Sequence, residues 1–242
     1  RGRMYKYILF DFDGTVFDTV EGITKSVQYA LAKRGIAAEL DSLRCFAGPP
    51  LVDMFMEKFD LSQEEAEAAT DDFRERYQPI GLYECRVFPG IKELLRALID
   101  AGLHVGIATS KPQHLAEKLL GDEDMLGLFE VISGSDSDGN NNSKAAVLTR
   151  AMNALGADKK ETVLVGDTKY DVAGAKACGV ECIGVRYGYA AEGELAAAGA
   201  DHIVNDLQQL KALLLNKEEE SMFRPLRRKK NAISEEAAKE LL

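Results

Sequence analysis

The sequence is poor in the features that mark exported and membrane-embedded proteins. Its 242 residues include only four cysteines, none in a CxxC pair: Cys45, Cys85, Cys178 and Cys182. This usage predicts reduced, mostly buried thiols and a cytoplasmic location. No apolar run is long enough to span a membrane and no signal-peptide pattern opens the sequence, so we expect no membrane association.

Net positive charge is also missing. The formal net charge is −10, which disfavours a nucleic acid polymer as the main partner. A small anionic substrate stays possible, because one local cluster of basic side chains can override the average. The three histidines show no ligand spacing and are expected to be structural or on the surface.

What the sequence has instead is a series of short apolar runs that alternate with helical segments. Hydrophobic residues make up 46% of the chain, enough for a sizeable core. Strands are predicted at six of these runs: 8–10, 103–108, 129–133, 162–165, 182–185 and 202–204. Such alternation predicts an α/β fold with a doubly wound, Rossmann-like parallel sheet, because right-handed crossovers place helices on both faces.

A long segment between the first two predicted strands lacks this alternation and contains no convincing strand. One helix is predicted to begin after Asp18 or Thr19 as its N-cap, and another at the capping-box pattern of Ser62. The predicted division of the chain is a Rossmann-like core at 4–17 and 86–215, an inserted helical cap at 18–85, and a charged tail at 216–242.

The first predicted strand ends in two carboxylates, Asp11 and Asp13, followed by Gly14. Residues i and i+2 of an extended chain point the same way, so both side chains are expected at the strand's carboxyl end, where open α/β sheets bind ligands. Turn or cap chemistry explains one such aspartate but explains a pair poorly. Carboxylates brought together near a core either shift their pKa values or hold a metal ion.

Other strand ends carry polar residues as well. Thr109 and Ser110 follow one strand, Asp167 follows another, and Asp171 lies one helical turn further on. Lys144 begins a later helix, for which Ser143 is the expected N-cap. It could reach the same edge, or could be a solvent-exposed lysine in a first turn. This set suits phosphoryl transfer: carboxylates hold Mg2+ or attack phosphorus, and a hydroxyl, backbone N–H groups and a lysine balance charge.

With these residues in these positions, the sequence resembles the haloacid dehalogenase-like phosphatases, in particular the phosphoglycolate phosphatase-like branch with a small helical cap. The four motifs of that family are matched, in order, by Asp11-Phe-Asp-Gly-Thr15, Thr109-Ser-Lys111, Lys144 and Gly166-Asp-x-x-x-Asp171. The resemblance covers residues 5–215. One departure is that the third-motif lysine follows Asn140-Asn-Asn-Ser, where many relatives have Gly-Lys-Pro.

The resemblance implies a role for each residue. Asp11 is implied to be the nucleophile that forms an aspartyl-phosphate, and Asp13 to be the general acid and then the base. The implied phosphoryl-binding residues are Gly14, Thr109, Ser110 and Lys144. The implied Mg2+ ligands are Asp11, the backbone carbonyl of Asp13, and Asp167, with Asp171 supporting the metal shell or orienting Lys144. The cap is implied to close over the substrate and exclude water.

The predicted activity is therefore Mg2+-dependent hydrolysis of a small phosphomonoester by a monomer. The leading substrates by resemblance are 2-phosphoglycolate and nucleoside monophosphates, the latter a 5'-nucleotidase-type activity. Asp13 favours phosphate chemistry over carbon–halogen cleavage. A hexose-phosphate mutase on the same core stays open, and a phosphonatase would need a cap lysine such as Lys25, Lys33 or Lys58. A non-catalytic binding protein is disfavoured, because the polar groups that the reaction needs are present.

The tail carries a second resemblance. Its charge runs are typical of a solvated linker. Residues 222–236 are also similar to the opening of flavin-binding proteins of the pyridoxamine-phosphate-oxidase-like class, which would make the tail the start of a truncated second domain.

Overall fold

A computed structural model describes residues 5–136 and 142–215 of the chain. The predicted tail at 216–242, Met4, and the polar loop at 137–141 lie outside these ranges. Within them, the strands are β1 (Tyr7–Phe10), β2 (Phe17–Asp18), β3 (Arg86–Val87), β4 (His104–Pro112), β5 (Val131–Ser135), β6 (Thr162–Gly166), β7 (Glu181–Val185) and β8 (His202–Val204).

The α-helices of the described residues alternate with these strands. They are α1 (Val20–Ala32), α2 (Leu51–Phe59), α3 (Gln63–Tyr77), α4 (Ile91–Asp100), α5 (Gln113–Asp122), α6 (Lys144–Leu155), α7 (Lys169–Cys178), α8 (Glu194–Ala198) and α9 (Leu207–Leu214). Short 3-10 helices occur at Leu40–Phe46, Gly81–Tyr83, Leu126–Leu128 and Lys159–Glu161. None of the described helices is both long and apolar enough to cross a membrane.

Six strands form one parallel sheet in the order β5-β4-β1-β6-β7-β8. Successive residues of a strand face opposite sides. On β1, Ile8 and Phe10 pack in a core cluster with Leu94 of α4, whereas Leu9 packs in a second cluster with Val147 of α6. Helices therefore cover both faces, which confirms the predicted doubly wound α/β fold class.

Strand β4 is longer than predicted. It runs from His104 to Pro112, so Thr109 and Ser110 are part of the strand instead of following it. Pro112 ends the strand with φ −52° and ψ 128° and is the N-cap of α5, not a residue of its first turn. Strand β5 begins two residues later than predicted, because a 3-10 helix occupies Leu126–Leu128.

The described chain between β2 and β3 contains helices and no strand. We call residues 19–85 the helical insertion. Strands β2 and β3 pair antiparallel, Phe17 with Val87, so the chain leaves and re-enters the sheet domain side by side. This two-residue ladder was not predicted. The predicted capping box is confirmed: Ser62 Oγ accepts from the N–H of Glu65, whose carboxylate accepts from the N–H of Ser62.

Thr19 is the N-cap residue of α1, as predicted, but its side chain makes no capping hydrogen bond. Its hydroxyl instead donates to Asp13 Oδ1 at 2.8 Å, because the fold brings a buried carboxylate within reach. All four cysteines are free, as predicted, but only Cys182 is buried and the other three are partly exposed.

Candidate active site

The carboxyl end of β1 carries the two predicted aspartates. Asp11 and Asp13 are 3% and 6% exposed, so both carboxylates lie in the interior. Asp11 Oδ1 accepts a hydrogen bond from Lys144 Nζ at 2.6 Å. Asp13 Oδ1 accepts from Thr19 Oγ1 at 2.8 Å and from Lys111 Nζ at 3.1 Å. The two carboxylates therefore have separate partners and separate surroundings.

Asp167 follows β6, the strand that pairs with β1. The register pairs Phe10 with Val165, so the two strands end at the same edge of the sheet. Carboxylate oxygens of Asp11, Asp167 and Asp171 lie within 4.8 Å of one another. The structure thus brings Asp11 together with Asp167, although they lie in distant parts of the sequence.

Lys144 reaches this cluster from the first position of α6. Ser143 is the N-cap, as predicted, and its hydroxyl accepts a backbone N–H of the first turn at 3.2 Å. Lys144 Nζ lies 2.6 Å from Asp11 Oδ1, 3.0 Å from Asp171 Oδ1 and 3.1 Å from the Ala108 carbonyl. The lysine is buried, so the alternative interpretation as a solvent-exposed residue is wrong.

Asp171 and Asp167 are held by dense local contacts. Asp171 Oδ2 accepts from the N–H of Asp167 at 3.1 Å and from the N–H and hydroxyl of Thr168, each at 3.0 Å. Asp167 accepts from Thr15 Oγ1 at 3.2 Å and from the N–H of Tyr189 at 2.8 Å. Because these donors fix Asp171 through Oδ2 while its Oδ1 lies 3.0 Å from Lys144 Nζ, Asp171 is placed to orient Lys144.

Gly14 and the residues of β4 complete the edge. Gly14 has φ +82°, and a Cβ there would overlap Asp167 Oδ2. Thr109 is buried, and its hydroxyl accepts from the N–H of Lys111 at 3.1 Å. Ser110 lines the cavity described below. All predicted site residues therefore lie at or beside the carboxyl edge of the sheet.

Burial and neighbouring charges shift the pKa values of this cluster. Burial raises the pKa of Asp11 to about 7, although the Lys144 charge acts against it. Burial, followed by the charges of Asp171 and Asp11, raises the pKa of Asp167 well above its ordinary value. For Lys144, burial lowers the pKa, but the carboxylates of Asp11 and Asp171 outweigh it and leave a raised value. The cluster therefore concentrates acidic groups around one ammonium.

This donor set fits a divalent cation. Three buried carboxylates surround a single ammonium, which leaves an excess of negative charge when all three are ionised. Hard cations such as Mg2+ prefer oxygen ligands of this kind, and a bound cation favours the charged form of nearby carboxylates. The residues present are thus suited to the predicted metal.

A cavity of about 560 Å3 opens between the sheet edge and the helical insertion. Asp13, Ser110 and Lys111 lie on its polar side. The insertion supplies apolar walls from Phe46, Leu51, Val52 and Phe73. His114 also lines it, so this histidine lies closer to the candidate site than its sequence position indicated.

Three contributing residues were not given a role from the sequence. Lys111 stood inside the quoted second motif, and its place two residues after Thr109 was the available signal. Thr19 was assigned to helix capping alone. Tyr77, whose hydroxyl accepts from Lys111 Nζ at 2.6 Å, gave no signal, because nothing local shows which way the last residue of a helix faces.

The fold and site together define a doubly wound α/β protein with an acidic cluster at the carboxyl edge of its sheet. A family model described as haloacid dehalogenase-like hydrolase matches residues 8–185. The chain belongs to this family, which confirms the resemblance seen in the motifs.

Named relatives agree with this assignment. A 5'-nucleotidase of Pseudomonas aeruginosa is 41% identical over 211 residues, covering 87% of this chain and 96% of that protein. A phosphoglycolate phosphatase of Cupriavidus necator, designated plasmid, is 35% identical over 212 residues, covering 86% and 92%. A crystal structure described as a predicted phosphatase from Clostridium acetobutylicum has a TM-score of 0.85 and 40% identity, covering 88% and 99%. The predicted enzyme class, a phosphoric monoester hydrolase, is confirmed.

Proposed function

We propose that this protein is a Mg2+-dependent phosphatase that hydrolyses a small phosphomonoester through an aspartyl-phosphate on Asp11. The observation that carries the proposal is the buried cluster in which Lys144 joins Asp11 to Asp171 while Asp167 lies beside them. A carboxylate nucleophile, a charge-balancing lysine and further acidic ligands are what phosphoryl transfer needs.

The contacts of Asp11 support its role as nucleophile. Lys144 occupies Oδ1, and no residue of 5–136 or 142–215 donates a hydrogen bond to Oδ2. Oδ2 is therefore available to attack phosphorus. The new bond joins Asp11 Oδ2 to phosphorus while the ester P–O bond breaks, and its electron pair leaves with the substrate oxygen.

Asp13 is placed to handle the proton in both halves of the reaction. It lines the cavity beside Asp11 and would protonate the departing oxygen, then take a proton from the water that attacks the aspartyl-phosphate. Thr109 and Ser110 would hold the phosphoryl oxygens, and Lys144 would balance their charge. The N–H of Gly14, which the resemblance assigned to phosphoryl binding, instead donates to the Phe17 carbonyl at 2.8 Å.

Asp11, Asp167 and the backbone carbonyl of Asp13 would hold Mg2+. When bound, the ion would supply positive charge that offsets the carboxylates and the transferring phosphoryl group. Asp171 would act through Lys144, because its Oδ2 accepts three hydrogen bonds and its Oδ1 lies 3.0 Å from Lys144 Nζ.

Two substrate classes have support. The phosphoglycolate phosphatase relative favours 2-phosphoglycolate. The 5'-nucleotidase relative favours nucleoside monophosphates, and a cavity of about 560 Å3 with apolar walls accommodates a larger, partly apolar leaving group. A phosphonatase is disfavoured, because Lys25, Lys33 and Lys58 are absent from the described lining of this cavity. We further propose a cytoplasmic monomer.

The test is phosphate release from p-nitrophenyl phosphate, 2-phosphoglycolate and adenosine 5'-monophosphate, with Mg2+ and with EDTA. We expect turnover that EDTA abolishes and Mg2+ restores. Asp11→Asn should lose at least about 1,000-fold in kcat, as expected for removal of a nucleophile. The exposed Asp122→Asn is the matched control. Full activity of Asp11→Asn would refute the mechanism. Isomerisation of glucose 1-phosphate, assayed alongside, without phosphate release would indicate the mutase.

A further inference from the structure

Lys111 is a buried cation that none of the predicted roles uses. Its side chain is 4% exposed and extends from β4 into the site. Nζ donates to Asp13 Oδ1 at 3.1 Å and to the hydroxyl of Tyr77 at 2.6 Å. It also lies 5.0 Å from the centre of the Tyr77 ring. Lys111 therefore joins the sheet domain to the helical insertion at the carboxylate proposed to move protons.

The two oxygens of Asp13 differ. Oδ1 accepts from both Thr19 Oγ1 and Lys111 Nζ. No residue of 5–136 or 142–215 donates to Oδ2. A carboxylate oxygen that accepts two hydrogen bonds, one of them from an ammonium, is held facing its donors. Oδ2 is therefore the oxygen left to face a leaving group.

Both donors to Oδ1 are connected to the helical insertion. Thr19 is the N-cap residue of α1, the first helix of the insertion. Tyr77 is the last residue of α3, is buried, and stacks on Phe73 with ring centres 4.9 Å apart. One donor to Oδ1 is thus the first residue of the insertion and the other is hydrogen-bonded to the insertion through Tyr77, so the orientation of Asp13 is coupled to the position of the insertion.

We propose that Lys111 is a positioning residue that turns Asp13 Oδ2 toward the leaving oxygen, and that Tyr77 makes this orientation depend on the docked insertion. This inference rests on the proposed function and adds to it the device by which the general acid is set. If Asp13 is misoriented, only substrates whose leaving group must be protonated should react more slowly.

Leaving-group chemistry separates this role from a structural one. Both 2-phosphoglycolate and adenosine 5'-monophosphate release an alkoxide, which must be protonated as it departs. p-Nitrophenolate leaves without a proton. Since kcat/KM reports steps only up to the first irreversible one, it isolates ester cleavage from later hydrolysis of the aspartyl-phosphate. Loss of orientation should therefore lower kcat/KM for the alkyl ester and spare the aryl ester.

The experiment measures kcat/KM for p-nitrophenyl phosphate and for whichever of the two alkyl esters the wild type hydrolyses faster. Lys111→Met should raise the ratio of kcat/KM for the aryl ester to kcat/KM for the alkyl ester by about 10-fold. This is smaller than the effect of removing the general acid altogether. Tyr77→Phe, which removes one hydroxyl and keeps the ring, should raise the ratio by about threefold. Lys118→Met and Tyr29→Phe, which alter exposed contacts of α5 and α1, should leave the ratio unchanged.

Equal losses on both esters, or no change in Tyr77→Phe, would overturn the inference. If Lys111→Met fails to fold by circular dichroism, Tyr77→Phe decides the question alone. A wild type that hydrolyses none of the esters would instead refute the proposed function, so the two failures are distinguishable.

Discussion

Lys144 Nζ lies 2.6 Å from Asp11 Oδ1, although 133 positions separate the two residues in the sequence. Helices α6 and α7 pack closely here because Gly174 of α7 has no side chain. A Cβ at this position would overlap the aliphatic part of the Lys144 side chain. The ammonium also contacts Asp171 Oδ1 at 3.0 Å. One lysine thus links a strand end, the start of α6 and the first turn of α7.

Replacing this lysine should damage both activity and stability. Lys144→Met leaves Asp11 and Asp171 without their cation, and breaking a buried pair from one side costs about 3–5 kcal/mol. We expect kcat for p-nitrophenyl phosphate to fall at least about 100-fold, as for loss of an oxyanion-stabilising group. Urea unfolding and phosphate release measure the two effects. The exposed Lys160→Met should change neither, and a stable, active Lys144→Met would contradict the proposed role.

Gly14 should tolerate no side chain. Gly14→Ala combines positive-φ strain with overlap of Asp167 Oδ2 and the Tyr189 ring, and together these cost about 3–5 kcal/mol. Gly35→Ala is the matched control, since it has φ +69° and no atom within 4 Å of an added Cβ. It should cost only about 1–2 kcal/mol of backbone strain and keep its activity. Similar melting temperatures for the two variants would show that Asp167 is not packed this closely.

Mg2+ should stabilise the folded protein, independently of turnover. At a concentration 100 times its Kd, a ligand that binds only the folded state adds about 2.7 kcal/mol of stability. We expect Mg2+ to raise the melting temperature of the wild type and of Asp122→Asn, measured by calorimetry after EDTA treatment. Asp167→Asn, which removes one carboxylate of the cluster, should lose most of this increase. An unchanged increase would exclude Asp167 as a ligand.

Glu84 should make the insertion sensitive to acid. Its side chain is 18% exposed and pairs with Arg76 Nη2 at 2.8 Å and Lys25 Nζ at 3.0 Å. Burial raises the pKa of Glu84, but these two partners outweigh it and leave the pKa below its ordinary value. A carboxyl of this kind stabilises the fold above its unfolded pKa, about 4.3, and loses that contribution as the pH falls through the folded pKa.

Glu84→Gln should therefore lower the free energy of unfolding by about 1–3 kcal/mol at pH 7. The difference from the wild type should shrink below about pH 4, where the wild-type carboxyl is also neutral. Urea unfolding at a series of pH values measures this, with the exposed Glu57→Gln as control. A difference that stays constant with pH would show that the charge of Glu84 contributes nothing.

Local sequence patterns were enough to predict the α/β class, most of the helices and strands, and the order of the four motifs. These features depend on residues close together in the chain. The apolar run at Ile8–Phe10 predicts a buried strand, and the Ser62 and Ser143 patterns predict where helices begin. Once parallel strands are predicted, their carboxyl ends must share an edge, so the meeting of Asp11 and Asp167 was predictable too.

The partner that each polar group takes could not be predicted in this way, because it depends on contacts between distant parts of the folded chain. Thr19 could cap its own helix or contact Asp13, and the choice depends on how near the folded chain brings the carboxylate. Tyr77 reaches Lys111 across the cleft between the insertion and the sheet, and no sequence period records that distance. The two-residue ladder of β2 and β3 is too short to carry a pattern at all. Local interactions therefore specify the elements, while contacts between distant segments specify the chemistry of the site.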